Sequence, residues 1–308
     1  MKLCLAGDVM TGRGIDQVMP YSAPPELYEP FVRSALDYVT LAERSSGAIP
    51  RRAAFDYVWG DALAEMARAD VRIVNLETAV TARGKPWPGK SIHYRMHPGN
   101  LPCLGAARID CCVLANNHVL DWGYDGLADT LEALHAAGIR TAGAGRDAEE
   151  AQSPAIVTLA SGKRVLVFAC ATESSGIVPD WAAEAGRPGV NFLAGLSADA
   201  IAKQVERARG EGDLVVVSIH WGQNWGYQVS GAERRFARAL IDAGVDVVHG
   251  HSSHHPKPVE LHRGHPILYG CGDLLNDYEG ISGHEAYRPG LGALYFYDAE
   301  APDRKSVV

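Results

Sequence analysis

The sequence predicts an α/β fold. Short apolar runs typical of buried strands alternate along the chain with longer stretches in which apolar residues recur at helical spacing. The composition agrees, because 47% of the 308 residues are hydrophobic and 21% are charged, as in a globular protein with a sizeable core. The sequence shows no internal repeat and no linker-like segment, so we expect a single domain over residues 1–308.

The predicted elements follow in order. The predicted strands are residues 2–6, 71–74, 111–115, 139–144, 155–159, 165–171, 214–219, 245–249, 259–261, 266–269 and 293–297. The predicted helices are residues 62–69, 123–137, 198–209 and 233–243. In the second helix Leu127, Leu131 and Leu134 share one face, and Gly138 ends it. Residues 79–102 form a Gly/Pro-rich loop in which His93 and His97 are taken as ordinary loop residues.

The segment 12–52 contains five prolines, with aromatic residues between them. Proline interrupts regular structure, and long irregular segments inside compact domains are often functional. We therefore expect an insertion or lid that covers the site. A passive surface loop explains the same pattern equally well.

Polar side chains follow five predicted strands at the point where each strand ends. The motifs are Gly7-Asp8, Asn75-Leu76-Glu77, Asn116-Asn117-His118, His220 and Gly250-His251-Ser252-Ser253-His254. Ligands bind at the carboxyl ends of strands in α/β sheets, so the motifs are expected to converge. Any one of them is explained by a helix cap or a turn, but five in the same context favour a metal centre. The mixture of oxygen and imidazole donors favours Ca, Mg or Mn and also accepts Zn or Fe.

Charge and cysteine content indicate which partners and which cellular compartment to expect. A net charge of -8 and a pI near 5.8 argue against nucleic acid and anionic membranes as partners. The chain begins directly with a predicted strand, and no apolar run approaches the ~20 residues that span a bilayer. The six cysteines have no CxxC spacing and mostly lie in strand-like stretches, so we expect buried, reduced thiols. We expect a cytoplasmic protein; its oligomeric state is not predicted.

The order and spacing of the polar motifs resemble the CapA family of poly-γ-glutamate capsule proteins. The resemblance rests on Gly-Asp-Val-Met at 7–10, Asn-Leu-Glu-Thr at 75–78, Ala-Asn-Asn-His-x-Leu-Asp-x-Gly at 115–123, His-Trp-Gly at 220–222, Gly-His-x-x-His at 250–254 and Gly-Asp at 272–273. It covers nearly the whole chain. That family belongs to the calcineurin-like metallophosphoesterases, so the resemblance implies a calcineurin-like four-layer αββα sandwich with the site at one rim of the strands.

The resemblance also implies the site residues. Carried over by position, they are Asp8, Glu77, Asn117, His118, His220, His251 and His254. Three departures stand out: Met10 replaces the histidine of the superfamily's first motif, Glu77 or Asn75 replaces its bridging aspartate, and Ser252 and Ser253 separate the last two histidines. A thioether is a poor ligand for a hard divalent ion. We therefore expect one of the two metal positions to be weakened or absent, and one divalent ion to be bound.

The expected function follows from these departures. They weaken the case for a two-metal hydrolysis, which needs two ions about 3.5–4 Å apart. Imidazoles beside a metal or a carboxylate are instead suited to proton transfer. The chain is similar to a branch of CapA-like proteins that act in lasso-peptide pathways and epimerise the carboxy-terminal residue of a precursor peptide. We expect this isomerase reaction on a peptide substrate. The alternatives are a metallohydrolase, either a phosphoesterase or an amidase on poly-γ-glutamate, and a non-catalytic capsule-assembly or peptide-binding module.

Each residue receives a role in this hypothesis. The metal ligands are Asp8, Glu77, Asn117 and His251, and the catalytic residues are Asp8, His118, His220 and His254. The candidate carboxylate partners of the histidines are Asp121, Asp273 and Asp277. Trp221 and Trp225 are candidate substrate-binding residues, although packing explains such aromatic residues at least as well. The remaining late histidines, taken as structural or exposed, are His249, His255, His262, His265 and His284.

Overall fold

The computed structural model describes residues 1–300 and the backbone of residues 306–307. The strands are β1 (Lys2–Val9), β2 (Val71–Leu76), β3 (Ala79–Val80), β4 (Arg95–Met96), β5 (Cys111–Val113), β6 (Arg140–Ala142), β7 (Ala144–Gly145), β8 (Ala155–Thr158), β9 (Arg164–Thr172), β10 (Gly189–Val190), β11 (Phe192–Leu193), β12 (Leu214–His220), β13 (Val247–His251), β14 (Val259–His262), β15 (His265–Leu268), β16 (Asp273–Leu275), β17 (Leu294–Asp298) and β18 (Ser306–Val307). The α-helices are α1 (Arg13–Val18), α2 (Ala35–Ser46), α3 (Ala62–Met66), α4 (Pro102–Ala106), α5 (Gly123–Ala136), α6 (Ala148–Gln152), α7 (Asp199–Ala208) and α8 (Gly231–Asp242).

Two seven-stranded sheets form the centre of the molecule. The first has the order β18-β17-β1-β2-β5-β6, with β16 also paired to β1. Its strands β1, β2, β5, β6 and β16 run parallel. The second has the order β11-β9-β12-β13-β15-β14, with β8 also paired to β9, and β9, β11, β12, β13 and β15 run parallel. The carboxyl ends of the central strands therefore lie at one rim of each sheet.

The two sheets pack face to face, and helices cover their outer faces. Alternate residues of β9 belong to different hydrophobic clusters: Val167 and Ala169 join residues of the first sheet and α5, whereas Phe168 and Cys170 join α7 and α8. This alternation is what a strand buried on both faces requires. The four-layer αββα sandwich implied by the family resemblance is confirmed.

Strand register brings polar residues of the rim side by side. Asp8 lies opposite Asn75 on β2 and opposite Asp273 on β16. Gly7 makes this approach feasible, because a Cβ atom at that position would lie 1.8 Å from the carbonyl oxygen of Gly272. In the second sheet His220 pairs with His251.

The segment 12–52 is more regular than its prolines suggest. It contains α1 and the 12-residue helix α2, which lies between Pro30 and Pro50 and so has no proline to interrupt it. The side chain of Ser34 caps α2 by accepting a hydrogen bond from the backbone N–H of Leu36. The expectation of a segment without long regular elements is therefore wrong.

Other differences are local. The predicted strand 139–144 is divided into β6 and β7 at Gly143, whose φ is 89°. The predicted loop 79–102 contains β3 and β4. All six cysteines are free and buried, as expected. Within the described residues, we find no helix with the length and apolar character needed to cross a membrane.

Candidate metal centre

The centre of the site is Asp8, a fully buried carboxylate near the end of β1. Its Oδ1 atom accepts a hydrogen bond from Asn75 Nδ2 at 2.7 Å, and Asn75 Oδ1 in turn accepts one from Asn116 at 3.0 Å. Its Oδ2 atom is buried and has no hydrogen-bond partner among the described residues. A buried carboxylate oxygen without a partner is costly unless a cation binds it.

Two imidazoles complete a group that fits a metal ion. One ligand atom each from Asp8, His220 and His251 lies within 4.8 Å of the others. The Nδ1 atoms of His220 and His251 are 2.8 Å apart, and Ser218 Oγ lies 2.9 Å from the other ring nitrogen of His251. Burial, followed by the neighbouring histidines, holds the pKa of both rings well below its usual value. Both rings are therefore neutral at pH 7, the form that coordinates metals.

A second group shares the same aspartate. It consists of Asp8, His254 and Asp273, again with ligand atoms within 4.8 Å of one another. Met10, the departure that predicts a weakened metal position, is buried, and its sulfur accepts a hydrogen bond from the hydroxyl of Tyr278 at 3.6 Å. Asp273 of β16 therefore brings a carboxylate to the second group. The replacement of histidine by Met10 gives no reason to expect this ligand.

The other two predicted ligands lie beside these groups. Glu77 Oε1 is 3.8 Å from His118 Nε2 and 3.9 Å from His220 Nε2. Asn117 Oδ1 is 3.1 Å from His220 Nε2. Burial, followed by the negative charge of Asp8, raises the pKa of Glu77 well above its usual value, and burial together with Asp273 raises the pKa of Asp8 to about 7. A bound cation would relieve this concentration of buried carboxylates.

His118 is held by a carboxylate from its own loop. Its Nδ1 atom lies 2.7 Å from Asp121 Oδ2, and Lys90 forms an ion pair with the other oxygen of Asp121. Lys90 also donates to the carbonyl of Asn117. Burial lowers the pKa of His118 to about 4, partly offset by Asp121. Lys90 is not among the predicted site residues, because it lies in the loop 79–102 and follows no strand.

His254 is held in the same way on the second sheet. Its Nδ1 atom lies 3.0 Å from Asp273 Oδ1, and its Nε2 atom lies 3.0 Å from Asn224 Nδ2. Burial lowers the pKa of His254, but the Asp273 and Asp8 carboxylates together outweigh burial, so the pKa is raised. Two imidazole–carboxylate pairs thus flank Asp8, one following β5 and the other following β13.

Some of these side chains line a cavity of about 360 Å³. Its wall includes Glu77, Asn117, His118, His220 and His254. Segment 12–52 contributes Arg13, Phe31 and Tyr38 to the same wall, and Phe31 is exposed. The segment therefore lies at the entrance of the site. This position supports the proposal that segment 12–52 is a lid.

The two predicted substrate-binding tryptophans have different surroundings. Trp225 lines the cavity and stacks on His284, with ring centroids 3.9 Å apart. Trp221 is buried, stacks on Tyr269 and donates from Nε1 to the Tyr269 carbonyl at 3.0 Å. Trp221 belongs to the core beneath α8 and is no longer proposed as a substrate-binding residue.

The remaining predicted residues have partners outside the two proposed metal groups. Among the described residues, Asp277 contacts no histidine ring nitrogen. Arg13 donates to it from Nε at 3.1 Å, so the prediction that Asp277 partners a histidine is wrong. His249 is buried between Ser218 and the Ala6 carbonyl. His262 contacts Asp242, and the rings of His255 and His265 contact backbone carbonyls.

Buried Asp, Asn and His side chains at one rim of an αββα sandwich define the calcineurin-like class that the motifs resemble. Residues 2–278 match the family described as bacterial capsule synthesis protein PGA_cap, and the chain belongs to this family.

Curated relatives carry related names. The chain is 50% identical over 297 residues to a Mycobacterium tuberculosis protein named "Probable polyglutamine synthesis accessory protein", covering 94% of this chain and 78% of the relative. It is 27% identical over 274 residues to the PGA biosynthesis protein CapA of Bacillus subtilis, covering 88% of this chain and 62% of that protein. A crystal structure of the Thermus thermophilus protein TT1561 aligns with a TM-score of 0.47 at 10% identity, covering 100% of this chain and 97% of that one.

Proposed function

We propose that this protein is a metal-dependent acid/base enzyme that acts on a peptide and inverts the Cα centre of its carboxy-terminal residue. One observation carries the proposal. Two imidazoles, His118 and His254, line the same cavity from opposite sheets, and each is bonded through Nδ1 to a buried carboxylate. The similarity to CapA-like enzymes of lasso-peptide pathways suggests a ribosomally made precursor peptide of that kind as the substrate.

Inversion at Cα requires two proton-transfer groups. One removes the proton from one face of the carbon, and the other delivers a proton to the opposite face. An imidazole anchored through Nδ1 presents Nε2 in a fixed orientation, as in other histidine–aspartate pairs. The Nδ1 atoms of His118 and His254 are engaged in this way by Asp121 and Asp273. The Nε2 atom of His254 also lies 3.0 Å from Asn224 Nδ2, a contact that the substrate would replace.

A divalent metal ion fits this chemistry. We propose one ion held by Asp8, His220 and His251, whose ligand atoms lie within 4.8 Å of one another; Asp8 Oδ1 lies 3.8 Å from Nδ1 of His251. When bound, it would supply positive charge that stabilises the additional negative charge developing on the terminal carboxylate of the substrate. The sequence-based expectation favours Ca, Mg or Mn. Two imidazoles among three donors instead favour Zn or Fe and remain compatible with Mn, whereas Ca and Mg prefer oxygen donors. We also propose a cytoplasmic location, which six free cysteines support.

Hydrolysis is the second candidate, and the shared aspartate favours it. The groups Asp8–His220–His251 and Asp8–His254–Asp273 together resemble a two-metal centre with Asp8 between the ions. In that case His254 is a ligand instead of a proton-transfer group. The relatives named for polyglutamine and PGA synthesis suggest amide bonds of such a polymer as the substrate, with a phosphate ester as the alternative.

The products distinguish the two reactions. Purified protein loaded with Zn, Fe or Mn is incubated in D₂O with a panel of linear peptides, with poly-γ-glutamate and with an aryl phosphate, and products are followed by mass spectrometry and chiral amino-acid analysis. We expect one deuterium to be incorporated at Cα with inversion and without chain cleavage. Shortened chains or free phosphate would establish hydrolysis instead. Binding without any reaction would reject both and leave the non-catalytic module.

Matched variants connect the result to the site. His118→Gln and His254→Gln each remove a proposed proton-transfer group, while His262→Gln removes an imidazole that contacts Asp242 outside the cavity. We expect inversion to be lost in the first two variants and retained in the third. Equal inversion by all three variants would contradict the assignment of His118 and His254.

A further inference from the structure

Ser252 has an unusual backbone conformation in the wall of the cavity. Its φ is 96°, a region that residues with a Cβ atom rarely adopt and that glycine adopts at much lower cost. It directly follows His251 of the proposed metal group and precedes His254 by two residues. Residues held in such conformations cluster at functional sites because the surrounding structure enforces them.

The hydroxyl of Ser252 is available to a ligand. The residue lines the same cavity as His118 and His254, and its Oγ atom has no hydrogen-bond partner among the described residues. The adjacent Ser253 differs, because its Oγ donates to the carbonyl of His255 at 2.9 Å. Only the first of these two neighbouring serines therefore has a hydroxyl free to contact a substrate.

We propose that the hydroxyl of Ser252 donates a hydrogen bond to a carboxylate oxygen of the carboxy-terminal substrate residue whose Cα is inverted. This inference rests on the proposed function. When the first imidazole accepts the Cα proton, the electron pair of the C–H bond moves into the adjacent carboxylate, which gains a second negative charge. The second imidazole then delivers a proton to the opposite face, and the electron pair returns to Cα as the new C–H bond. The serine keeps its own proton throughout.

The position of Ser252 suits this role. Donors directed at a developing oxyanion act most strongly when they are fixed before the reaction and shielded from water. Ser252 is buried, and its backbone conformation is held between two proposed site residues. Glycine would relieve the conformational cost at this position but would provide no donor. The same contact would serve amide hydrolysis, in which the carbonyl oxygen also gains negative charge.

Three variants separate the hydroxyl from the backbone conformation. Ser252→Ala removes the hydroxyl and keeps the cost of a Cβ atom at φ 96°, whereas Ser252→Gly removes both. Ser253→Ala is the matched control, because it removes an adjacent serine hydroxyl that is already engaged within the protein. For each metal-loaded variant, kcat and KM are measured on the peptide that the wild-type protein turns over, and the metal content and unfolding midpoint are measured in parallel.

We expect kcat to fall about 100- to 1,000-fold in both Ser252 variants, with KM changed by less than about threefold, since an oxyanion donor acts in the transition state. Ser253→Ala should keep the wild-type kcat, and Ser252→Gly should be at least as stable as the wild type. If both Ser252 variants retain the wild-type kcat, or Ser253→Ala loses as much as they do, the inference is wrong while the proposed function stands. A wild-type protein without inversion or cleavage would overturn the proposed function and this inference with it.

Discussion

The buried ion pair behind His118 allows a quantitative prediction. Asp121 is fully buried and accepts from the Tyr94 backbone N–H at 2.6 Å, contacts His118 at 2.7 Å and pairs with Lys90, whose side chain is 19% exposed. Two hydrogen bonds contribute about 1 kcal/mol each, and breaking a buried ion pair by removing one partner costs about 3 kcal/mol. Asp121→Ala should therefore lower the free energy of unfolding by about 5 kcal/mol.

The double variant isolates the ion pair. Lys90→Met alone should cost about 2–3 kcal/mol, because it leaves Asp121 buried with fewer partners. Combined with Asp121→Ala, it removes both charges, so the combined loss should be smaller than the sum of the single losses by about 2–3 kcal/mol. Urea unfolding followed by circular dichroism measures all four proteins. Strictly additive losses would refute the claim that the two charges stabilise each other.

Three further predictions follow. Gly7→Ala should lower the unfolding midpoint strongly, because the added Cβ would meet the Gly272 carbonyl. Gly105 lies on a helix with open space around it, so Gly105→Ala should leave the midpoint unchanged or raise it. Equal midpoints for the two variants would contradict the close approach at Gly7. Burial raises the pKa of Asp121, but His118 and Lys90 outweigh burial, so the pKa is lowered. The ionised Asp121 carboxylate should therefore stabilise the fold above about pH 4, and this stabilisation should disappear as the pH falls through the lowered pKa. Acid titration should therefore destabilise wild type more steeply than Asp121→Asn, and parallel curves would reject this. Plasma mass spectrometry should find about one divalent ion per wild-type chain and none in Asp8→Asn; an unchanged content would exclude Asp8 as a ligand.

The convergence of the strand-end motifs is predictable from sequence, because parallel strands of one sheet share a carboxyl rim. Asp8, Asn75 and Asn116 meet for this reason. That the second sheet lies opposite the first, with His220 and His251 beside Asp8, is not contained in strand periodicity. The expected arrangement of the two sheets comes from the family resemblance instead.

The differences between prediction and structure at Trp221, Asp277 and Lys90 have physical causes. Trp221 follows His220 directly, and successive residues of an extended chain point to opposite sides, so a histidine in the site places its neighbour in the core. The buried position of Trp221 can therefore be inferred from the sequence, since Trp221 directly follows a predicted site histidine. The pairing of Asp277 with Arg13 joins residues 264 positions apart, and Lys90 reaches His118 from an irregular loop. Neither contact leaves a local pattern in the sequence.

The most direct test of the two-imidazole account uses peptides that differ only in the configuration of the carboxy-terminal residue. The L and D forms of one substrate peptide are incubated in D₂O with His118→Gln and with His254→Gln, and deuterium at Cα is measured by mass spectrometry. If His118 and His254 serve opposite faces, each variant should lose exchange on one form and retain it on the other, with the two variants complementary. Wild-type exchange rates on both forms in both variants would contradict the account.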